Sequence, residues 1–339
     1  MLDLRSDTVT KPTWEMRVSM YEAEVGDDIY EDDPTVKELE RKAAELVGKE
    51  AALFVPSGTF GNQLALLTHC NRGDEVIVGD DSHIVCHETG AAAIIAGVQL
   101  RTLNTIKGYM VLNEIDAKIR KEENIHFPKT ALICLENAYS SGRVLPLSYM
   151  KDIYEMAEKH LVHVHLDGAR VFNAATFLDV EPKEITQFCD SIMFCLSKGL
   201  CAPVGSILAG TKTFIERARK NRKIMGGGLR QVGVLAAPGI VALDRMIPRL
   251  YEDHALALKL GEALDKIKGI EVFLEDIHIN MVFFKLPTNI NPDELVALFL
   301  ENHIKINGPE NGIWRFVTHN DVNEEDILRV IDILTNAIL

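Results

Sequence analysis

Short apolar runs alternate with helical patterns along the first two thirds of this 339-residue chain. The runs are bounded by glycine or by polar turns, and strands are predicted at residues 52–55, 75–78, 131–135, 162–167, 191–196 and 205–209. Strands separated by helices in this way are typical of an α/β protein, in which a mostly parallel sheet lies between layers of helices.

The last third of the chain predicts a smaller α+β domain. Strands are expected at residues 270–273, 281–286 and 313–317, and helices at residues 292–302 and 324–338. The two patterns meet near residues 243–249, where a helical segment contains Pro248. We therefore expect three parts: an N-terminal arm at residues 1–13 that folds over the functional site, a large domain at 14–245 and a small domain at 246–339.

Two charged residues follow buried strands. Asp167 ends the predicted strand at 162–167, and Lys198 comes just after the strand at 191–196. Because neighbouring parallel strands end at the same edge of a sheet, we expect the two side chains to lie side by side. A lysine in such a place can act as a nucleophile or form a Schiff base, whereas the alternative is a surface lysine just past a strand.

Pyridoxal phosphate (PLP) requires both groups, because a lysine binds its aldehyde and a carboxylate keeps its pyridine nitrogen protonated. PLP also needs a phosphate site. Ser57, Gly58 and Thr59 lie between the strand at 52–55 and a helix predicted at 63–70, where hydroxyls, backbone N–H groups and the helix dipole attract an anion. A capped helix start has the same pattern, so this turn is informative only together with Asp167 and Lys198.

His83 is a fourth candidate for the same site. It follows the strand at 75–78 in the sequence Asp80-Asp-Ser-His83. An imidazole there can lie over the ring of PLP or act as a base near neutral pH, and the alternative is a structural loop histidine.

Specific motifs extend along nearly the whole chain, from Leu2 to His319. They are Leu4-Arg-Ser-Asp-Thr-Val-Thr-Lys-Pro12, Gly26-Asp-Asp-Ile-Tyr30, Pro56-Ser-Gly-Thr59, His165-Leu-Asp-Gly-Ala-Arg170, Ser197-Lys-Gly-Leu-Cys-Ala-Pro-Val-Gly205 and Gly226-Gly-Gly-Leu-Arg-Gln231. In combination these motifs resemble the low-specificity L-threonine aldolases. The resemblance implies a PLP-dependent transferase-like large domain (fold type I, the aspartate aminotransferase-like class) and a smaller C-terminal domain.

The same resemblance implies a role for each matching residue. Lys198 carries PLP, Asp167 pairs with its pyridine nitrogen, His83 stacks on its ring, and Gly58 and Thr59 bind its phosphate. The implied cofactor-binding set also contains Arg170, Ser197, Lys223 and Arg230, and the implied substrate-carboxylate set is Ser6, Arg170 and Arg315. Lys223 and Arg230 match basic positions that the family brings from an adjacent subunit, which implies a homotetramer, a dimer of dimers with shared active sites.

The implied reaction is the cleavage of L-threonine, L-allo-threonine and related β-hydroxy-α-amino acids to glycine and an aldehyde, which is acetaldehyde from threonine. Arg170 and Arg315 hold the substrate carboxylate and so select the Cα–Cβ bond for cleavage. His83, directly or through water, and His126 are the candidates for the base that removes the hydroxyl proton. The sequence leaves open the choice of base and the preference between threonine and allo-threonine.

Two positions depart from the family pattern. Glu31 stands after Tyr30, where the family usually has glycine, and Asn137-Ala-Tyr139 replaces the usual Asn-Thr-His. The second departure bears on the β-substituent and on stereochemical preference more than on the reaction.

Composition excludes several classes of function. A net charge of −14 argues against nucleic-acid binding. No apolar run approaches the length of a membrane span, and we expect a cytoplasmic enzyme that acts on a small amino acid. The cysteines form no C-x-x-C pair, so we expect reduced thiols rather than disulfides or a metal site.

Three alternatives compete with aldol cleavage. The first is β-elimination, another PLP reaction. The second is a metal-dependent hydrolase, since His163, His165 and Asp167 alternate along one strand and project to one face. The third is a non-enzymatic protein that uses the basic run at residues 216–223 to bind an anionic partner. The second and third leave the combination of Lys198, Asp167 and the phosphate turn unexplained.

Overall fold

The structure is a computed structural model that describes residues 1–338. Its strands are β1 (Leu2–Asp3), β2 (Ala51–Val55), β3 (Glu75–Gly79), β4 (Gln99–Leu103), β5 (Thr105–Ile106), β6 (Tyr109–Met110), β7 (Thr130–Glu136), β8 (His163–Asp167), β9 (Ser191–Cys195), β10 (Ser206–Gly210), β11 (Glu271–Val272), β12 (Met281–Lys285), β13 (Ile304–Lys305) and β14 (Trp314–Val317). Its α-helices are α1 (Trp14–Glu22), α2 (Pro34–Leu46), α3 (Gly58–His69), α4 (His83–Cys86), α5 (Leu112–Lys118), α6 (Leu147–Lys159), α7 (Val171–Leu178), α8 (Pro182–Thr186), α9 (Lys212–Ile224), α10 (Gly233–Val241), α11 (Leu250–Asp265), α12 (Pro292–Glu301) and α13 (Glu324–Ile338).

The large sheet has the strand order β2-β10-β9-β8-β7-β3-β4. Strands β4, β3, β7, β8 and β9 are parallel to one another, whereas β10 is antiparallel to both of its neighbours. The connection from β9 to β10 is too short for the crossover helix that a parallel return requires. Helices cover the sheet, and the expected α/β class with a mostly parallel sheet is confirmed.

All six strands predicted for this sheet are present, and none of their ends differs by more than one residue. Strand β4 was not predicted from the sequence. It is an edge strand that alternates polar and apolar side chains and buries mainly Leu103, so it lacks a continuous apolar run. The helix after the phosphate turn was predicted to start at residue 63, but α3 starts at Gly58.

Strand register brings the ends of three parallel strands together. Glu136 of β7 pairs with Asp167 of β8, which in turn pairs with Met193 of β9. The carboxyl ends of β7, β8 and β9 therefore meet at one edge, as the positions of Asp167 and Lys198 predicted.

The C-terminal part contains a three-stranded sheet in the order β11-β12-β14. Its core takes apolar side chains from α11, α12 and α13, together with Leu2 and Leu4 from the N-terminal arm. The arm is tied to this part because β1 pairs in parallel with β13. The domain boundaries given above stay a prediction. None of the helices within residues 1–338 combines the length and apolar character that a membrane crossing needs.

Candidate active site

A cavity of about 140 Å³ lies at the carboxyl edge of the large sheet. The residues predicted from sequence that line it are Gly58, Thr59, His83, Asp167, Arg170, Ser197 and Lys198. They come from the first turn of α3 and from the segments that follow β3, β8 and β9. Segments that are distant in sequence thus meet at the ends of neighbouring strands.

Asp167 and Lys198 form the floor of this cavity at the ends of β8 and β9. The buried carboxylate of Asp167 accepts hydrogen bonds from Asn62 Nδ2 at 2.7 Å and from the Ala169 backbone N–H at 3.1 Å. The backbone carbonyl of Lys198 accepts a hydrogen bond from Thr10 Oγ1 at 2.8 Å, which ties the N-terminal arm to the turn after β9.

The first turn of α3 forms one end of the cavity. Ser57 caps the helix by accepting a hydrogen bond from the Phe60 backbone N–H at 3.1 Å. A Cβ atom at Gly58 would lie 2.9 Å from Cys195 Sγ, so the close approach of this turn to β9 favours glycine. The first N–H groups of an α-helix have no acceptor within the helix and attract anions, so this turn suits a phosphate.

His83 is held by two buried glutamates. Its backbone N–H donates to Glu136 Oε2 at 2.8 Å, and its Nδ1 lies 3.0 Å from Glu88 Oε1. The hydrogen bond with Glu88 raises the pKa of His83 against the opposing effect of burial, and the charge of Asp167 adds to the rise. Burial and the charge of Asp167 raise the pKa of Glu136 to about 7. Glu136, which lines the cavity, can therefore gain or lose a proton near neutral pH.

The metal site considered for His163, His165 and Asp167 is not supported by the geometry. His163 is exposed at the opposite end of β8 and its Nδ1 lies 3.5 Å from Asp190 Oδ2. His165 is buried, its Nε2 lies 3.2 Å from Asn62 Oδ1, and burial lowers its pKa to about 4. Within residues 1–338 these three side chains make separate contacts and do not converge on one point.

Arg170 reaches the cavity but is paired with an acid that the sequence analysis did not single out. Its Nε and Nη2 donate to the two carboxylate oxygens of Asp7 at 2.8 and 2.5 Å. Burial alone would raise the pKa of Asp7, but the Arg170 guanidinium holds this pKa well below its usual range. Ser6 precedes this acid, accepts a hydrogen bond from the Thr8 backbone N–H at 3.3 Å and is not part of the cavity lining.

Arg315 faces a second cavity, of about 550 Å³, between the C-terminal part and the loops that follow β3 and β7. The two cavities are adjacent, since Ser140 lines the smaller one and Ser141 the larger one. Burial and the nearby charge of Arg170 lower the pKa of Arg315, and its Nη2 donates to the Arg5 carbonyl at 3.2 Å. The two predicted carboxylate-binding arginines therefore lie close enough to repel each other, which favours an anion near both.

Three further predicted residues lie outside the 140 Å³ cavity of their own chain. His126 is on an exposed loop between α5 and β7, and Lys223 is exposed near the end of α9. Arg230 is also exposed, and its Nη1 donates to Asp27 Oδ2 at 2.9 Å. The structure describes a single chain, so it leaves the predicted contribution of Lys223 and Arg230 to a neighbouring subunit as a prediction.

The basic run at residues 216–223 does not form a continuous surface for an anionic partner. Arg217 donates to the Thr68 carbonyl, and the side chains of Arg219 and Arg222 pair with buried carboxylates. Three of the basic side chains are therefore used within the fold, which argues against this alternative.

Four polar residues of the site were missed in the sequence, namely Asp7, Asn62, Glu88 and Glu136. Position offered a signal for two of them, since Asp7 lies in the N-terminal motif and Glu136 ends a buried strand. Asn62 and Glu88 offer no such signal, because only the packing of α3 against the segment after α4 brings them together.

Comparisons with known proteins agree with this geometry. Residues 3–287 match the family described as beta-eliminating lyase. The low specificity L-threonine aldolase of Escherichia coli is 45% identical over 331 residues, with 97% of each chain covered. A probable low-specificity L-threonine aldolase of Arabidopsis thaliana is 43% identical over 337 residues, which cover 97% of this chain and 95% of that protein. The chain belongs to the low-specificity L-threonine aldolase family. It is therefore a lyase.

A solved structure supports the fold of this threonine aldolase family member. The Leishmania major threonine aldolase superposes with a TM-score of 0.85 at 20% identity and full coverage of both chains. This similarity confirms the PLP-dependent transferase-like fold.

PLP is the cofactor of this family, and the groups around the 140 Å³ cavity fit it. Lys198 offers an amine for the aldehyde, and Asp167 offers a buried carboxylate for the pyridine nitrogen. The free N–H groups at the start of α3 offer a site for the phosphate. Each chemical group of PLP therefore has a matching partner at the edge of the sheet.

The two departures from the aldolase pattern have structural explanations. Glu31 has φ 58° and ψ 38°, the left-handed conformation that favours glycine, and this explains why the family usually has glycine there. Tyr139 donates a hydrogen bond from its hydroxyl to Asp81, and its ring packs against Gly108. Tyr139 thus links β7 to the loop that leads into His83.

Proposed function

We propose that this protein cleaves L-threonine, L-allo-threonine and related β-hydroxy-α-amino acids to glycine and an aldehyde. The observation that supports this most is the convergence of Lys198, Asp167 and the first turn of α3 on one cavity. The family of the chain adds the reaction class, because its relatives at 43–45% identity are named low-specificity L-threonine aldolases.

The cofactor is held at three points in this proposal. Lys198 binds the aldehyde, Asp167 keeps the pyridine nitrogen protonated, and Gly58 and Thr59 bind the phosphate through backbone N–H groups. When bound, PLP supplies an aldehyde for the substrate amine and a protonated ring that takes up electrons from Cα. Ser197 lies beside Lys198 in the cavity and completes this set.

Arg170, Arg315 and Ser6 orient the substrate. Arg170 has its Nη1 available for an anion while its other nitrogens bind Asp7, and Arg315 approaches from β14. Only a bond perpendicular to the cofactor ring is weakened. By fixing the carboxylate, the arginines place the Cα–Cβ bond in that position, and cleavage there releases an aldehyde.

A base must remove the proton of the β-hydroxyl for the aldehyde to form. We propose His83, directly or through a water molecule, because it lines the cavity and because its pKa is raised from an already near-neutral value. His126 remains a second candidate if a neighbouring subunit or a loop movement brings it to the cavity. Protonation of Cα then gives glycine, which the Lys198 amine displaces.

The decisive experiment is incubation of the PLP-loaded protein with L-threonine and with L-allo-threonine. Aldol cleavage gives glycine and acetaldehyde, whereas β-elimination gives 2-oxobutanoate and ammonia. The family description, beta-eliminating lyase, makes elimination the second candidate. Equal amounts of glycine and acetaldehyde are expected, and 2-oxobutanoate as the main product would contradict aldol cleavage.

We further propose a homotetramer, a dimer of dimers, in which Lys223 and Arg230 act at the cofactor site of the adjacent subunit. Their exposure and their distance from the cavity of their own chain support this arrangement. Inactive Lys198→Ala and Arg230→Ala proteins should regain partial activity when their subunits are exchanged, because one mixed site then has both native residues. Lys220→Ala, which removes an exposed cation on the helix that carries Lys223, should be active without mixing. Lack of recovery after verified exchange would contradict the shared site.

We also propose a cytoplasmic location. The support is the state of the cysteines, all of which are free thiols and five of which are buried. Reduced thiols are typical of the reducing cytoplasm.

A further inference from the structure

Glu88 is a buried acid that the family motifs do not include. Its carboxylate accepts hydrogen bonds from Asn62 Nδ2 at 2.8 Å and from Gln63 Nε2 at 2.6 Å, and it lies 3.0 Å from His83 Nδ1. Its side chain has no exposed surface, and His83 is its only ion-pair partner among residues 1–338. A buried carboxylate with two neutral amide partners needs a further compensating group, and only the imidazole can supply a positive charge.

The contact with Glu88 also determines which nitrogen of His83 remains for chemistry. A carboxylate accepts hydrogen bonds and does not donate them when ionised, so the proton of a neutral His83 must be on Nδ1. The lone pair is then on Nε2, the nitrogen that is not used by Glu88. The backbone N–H of the same residue is fixed by Glu136, so both ends of His83 are held.

Asn62 connects this pair to the acid expected at the cofactor nitrogen. One amide group, Nδ2, lies within hydrogen-bonding distance of both Glu88 Oε1 and Asp167 Oδ2, at 2.8 and 2.7 Å. Its oxygen contacts the buried His165. Asn62 therefore positions two carboxylates, that of Glu88, which contacts His83, and that of Asp167.

We propose that Glu88 is a positioning residue, which holds His83 in the tautomer with its proton on Nδ1 and leaves Nε2 to accept the β-hydroxyl proton. The inference rests on the proposed function of His83 as base. It assigns Glu88 no contact with substrate or cofactor, because Glu88 is not among the residues that line the cavity.

The contact with Glu88 raises the pKa of His83. The titratable and charged groups around His83 are Glu88, Asp167, Glu136, Lys198 and His87, whose ring centroid lies 5.5 Å from that of His83, and Glu88 contributes most to the raised pKa of His83. A base must be neutral, so activity is lost as the pH falls through this pKa. Removal of the Glu88 charge should lower the pKa of His83 and move the acidic limb of the kcat/KM profile to lower pH.

Glu88→Gln is the most suitable variant because the surroundings can adapt to it. The new amide oxygen can still accept from His83, while the new amide nitrogen faces Gln63. Gln63 Oε1 is buried without a hydrogen-bond partner among the described residues, so rotation of the Gln63 amide can present an acceptor to that nitrogen. Glu88→Asp, which keeps the charge but shortens its reach, serves as the second variant if Glu88→Gln does not fold.

The first measurement is deuterium exchange at the imidazole Cε1 position, followed residue by residue by peptide mass spectrometry across pH in the PLP-loaded protein. Glu88→Gln should shift the exchange midpoint of His83 downward. Exchange at the exposed His303, which does not line the site cavity, is the internal control and should be the same in both proteins. Glu40→Gln removes a buried carboxylate far from the site and should leave His83 unchanged. An unchanged His83 midpoint in Glu88→Gln would overturn the proposal, whatever reaction the protein catalyses.

The second measurement is a double-mutant cycle on threonine cleavage. Glu88→Gln should lower kcat/KM by about tenfold in the native background and by less than about twofold in a His83→Asn background, because the effect acts through His83. A tenfold loss in both backgrounds would assign Glu88 a structural role instead. If His83→Asn itself has native activity, the proposed base is wrong, while the exchange measurement still reports whether Glu88 controls the imidazole.

Discussion

The two sides of the site are built from different parts of the chain. The proposed cofactor side is Gly58, Asp167 and Lys198, which lie at or just after the carboxyl ends of β2, β8 and β9 in the large sheet. The proposed carboxylate side is Ser6, Arg170 and Arg315, from the N-terminal arm, the turn after β8 and the small sheet. Main-chain hydrogen bonds of the sheet fix the first side, whereas the second depends on side-chain pairs between separate segments.

In the proposed reaction the cofactor side carries out the chemistry, and the carboxylate side orients the substrate. The position of Asp167 relative to the end of β9, three residues before Lys198, follows from the parallel pairing of β8 with β9. The position of Arg170 relative to Arg315 depends on the buried pair with Asp7 and on how the arm lies between the two sheets. Substitutions on the cofactor side should therefore abolish turnover at constant stability, and substitutions on the carboxylate side should change KM, specificity and stability together.

The largest effect is expected for Lys198→Ala. Loss of the amine removes the covalent attachment of PLP, so turnover should fall by at least about 1,000-fold and the visible absorbance of the bound cofactor should change. The measurements are the absorption spectrum and the rate of acetaldehyde release. Lys212→Ala, an exposed lysine at the start of α9, is the control and should match the native protein. Substantial activity in Lys198→Ala would show that another group binds the cofactor.

Asp167→Asn should have the next largest effect. An amide cannot keep the pyridine nitrogen protonated, so kcat should fall by about 100- to 1,000-fold while the cofactor stays bound. Asp190→Asn is the matched control, because Asp190 lies at the opposite edge of the same sheet and pairs with His163. Near-native turnover of Asp167→Asn, measured with threonine at saturation, would refute its assigned role.

The cofactor side could be predicted from the sequence because its residues lie at the ends of buried strands. An apolar run followed by a charged residue, as at Asp167 and Lys198, indicates by its order alone that the charged residue lies at the sheet edge. The carboxylate side is different, because Asp7 and Arg170 are 163 residues apart and no periodicity relates them. Glu88 was missed for the same reason, since its partners meet only through packing of side chains.

Asp7→Asn tests how the carboxylate side is held together. The change leaves the buried charge of Arg170 without its partner, which should lower the free energy of unfolding by about 3 kcal/mol at neutral pH. The pKa of Asp7 is depressed in the folded protein, so the pair stabilises the protein above the unfolded pKa of about 3.9 and loses this effect as the pH falls further. Thermal melting at pH 7 and at pH 3.5 should show a smaller difference between variant and native protein at the lower pH.

The control for Asp7→Asn is Asp253→Asn. Asp253 of α11 is buried and pairs with Arg249, the residue before this helix, but it is not part of either site cavity. Both variants should lower stability, whereas only Asp7→Asn should raise the KM for threonine. An equal rise in KM for both would mean that loss of stability, rather than a displaced Arg170, changes substrate binding.

The smallest effect is expected for Arg315→Lys. A guanidinium can bind a carboxylate through two parallel hydrogen bonds, and lysine keeps the charge but not this geometry. We expect kcat/KM to fall by about tenfold, equivalent to about 1.4 kcal/mol, with an unchanged cofactor spectrum. A loosely held carboxylate also lets other bonds of Cα become perpendicular to the ring, so racemisation or transamination should increase relative to cleavage. Native kinetics would show that Arg315 does not bind the substrate carboxylate. An altered cofactor spectrum would show that Arg315 affects the cofactor instead.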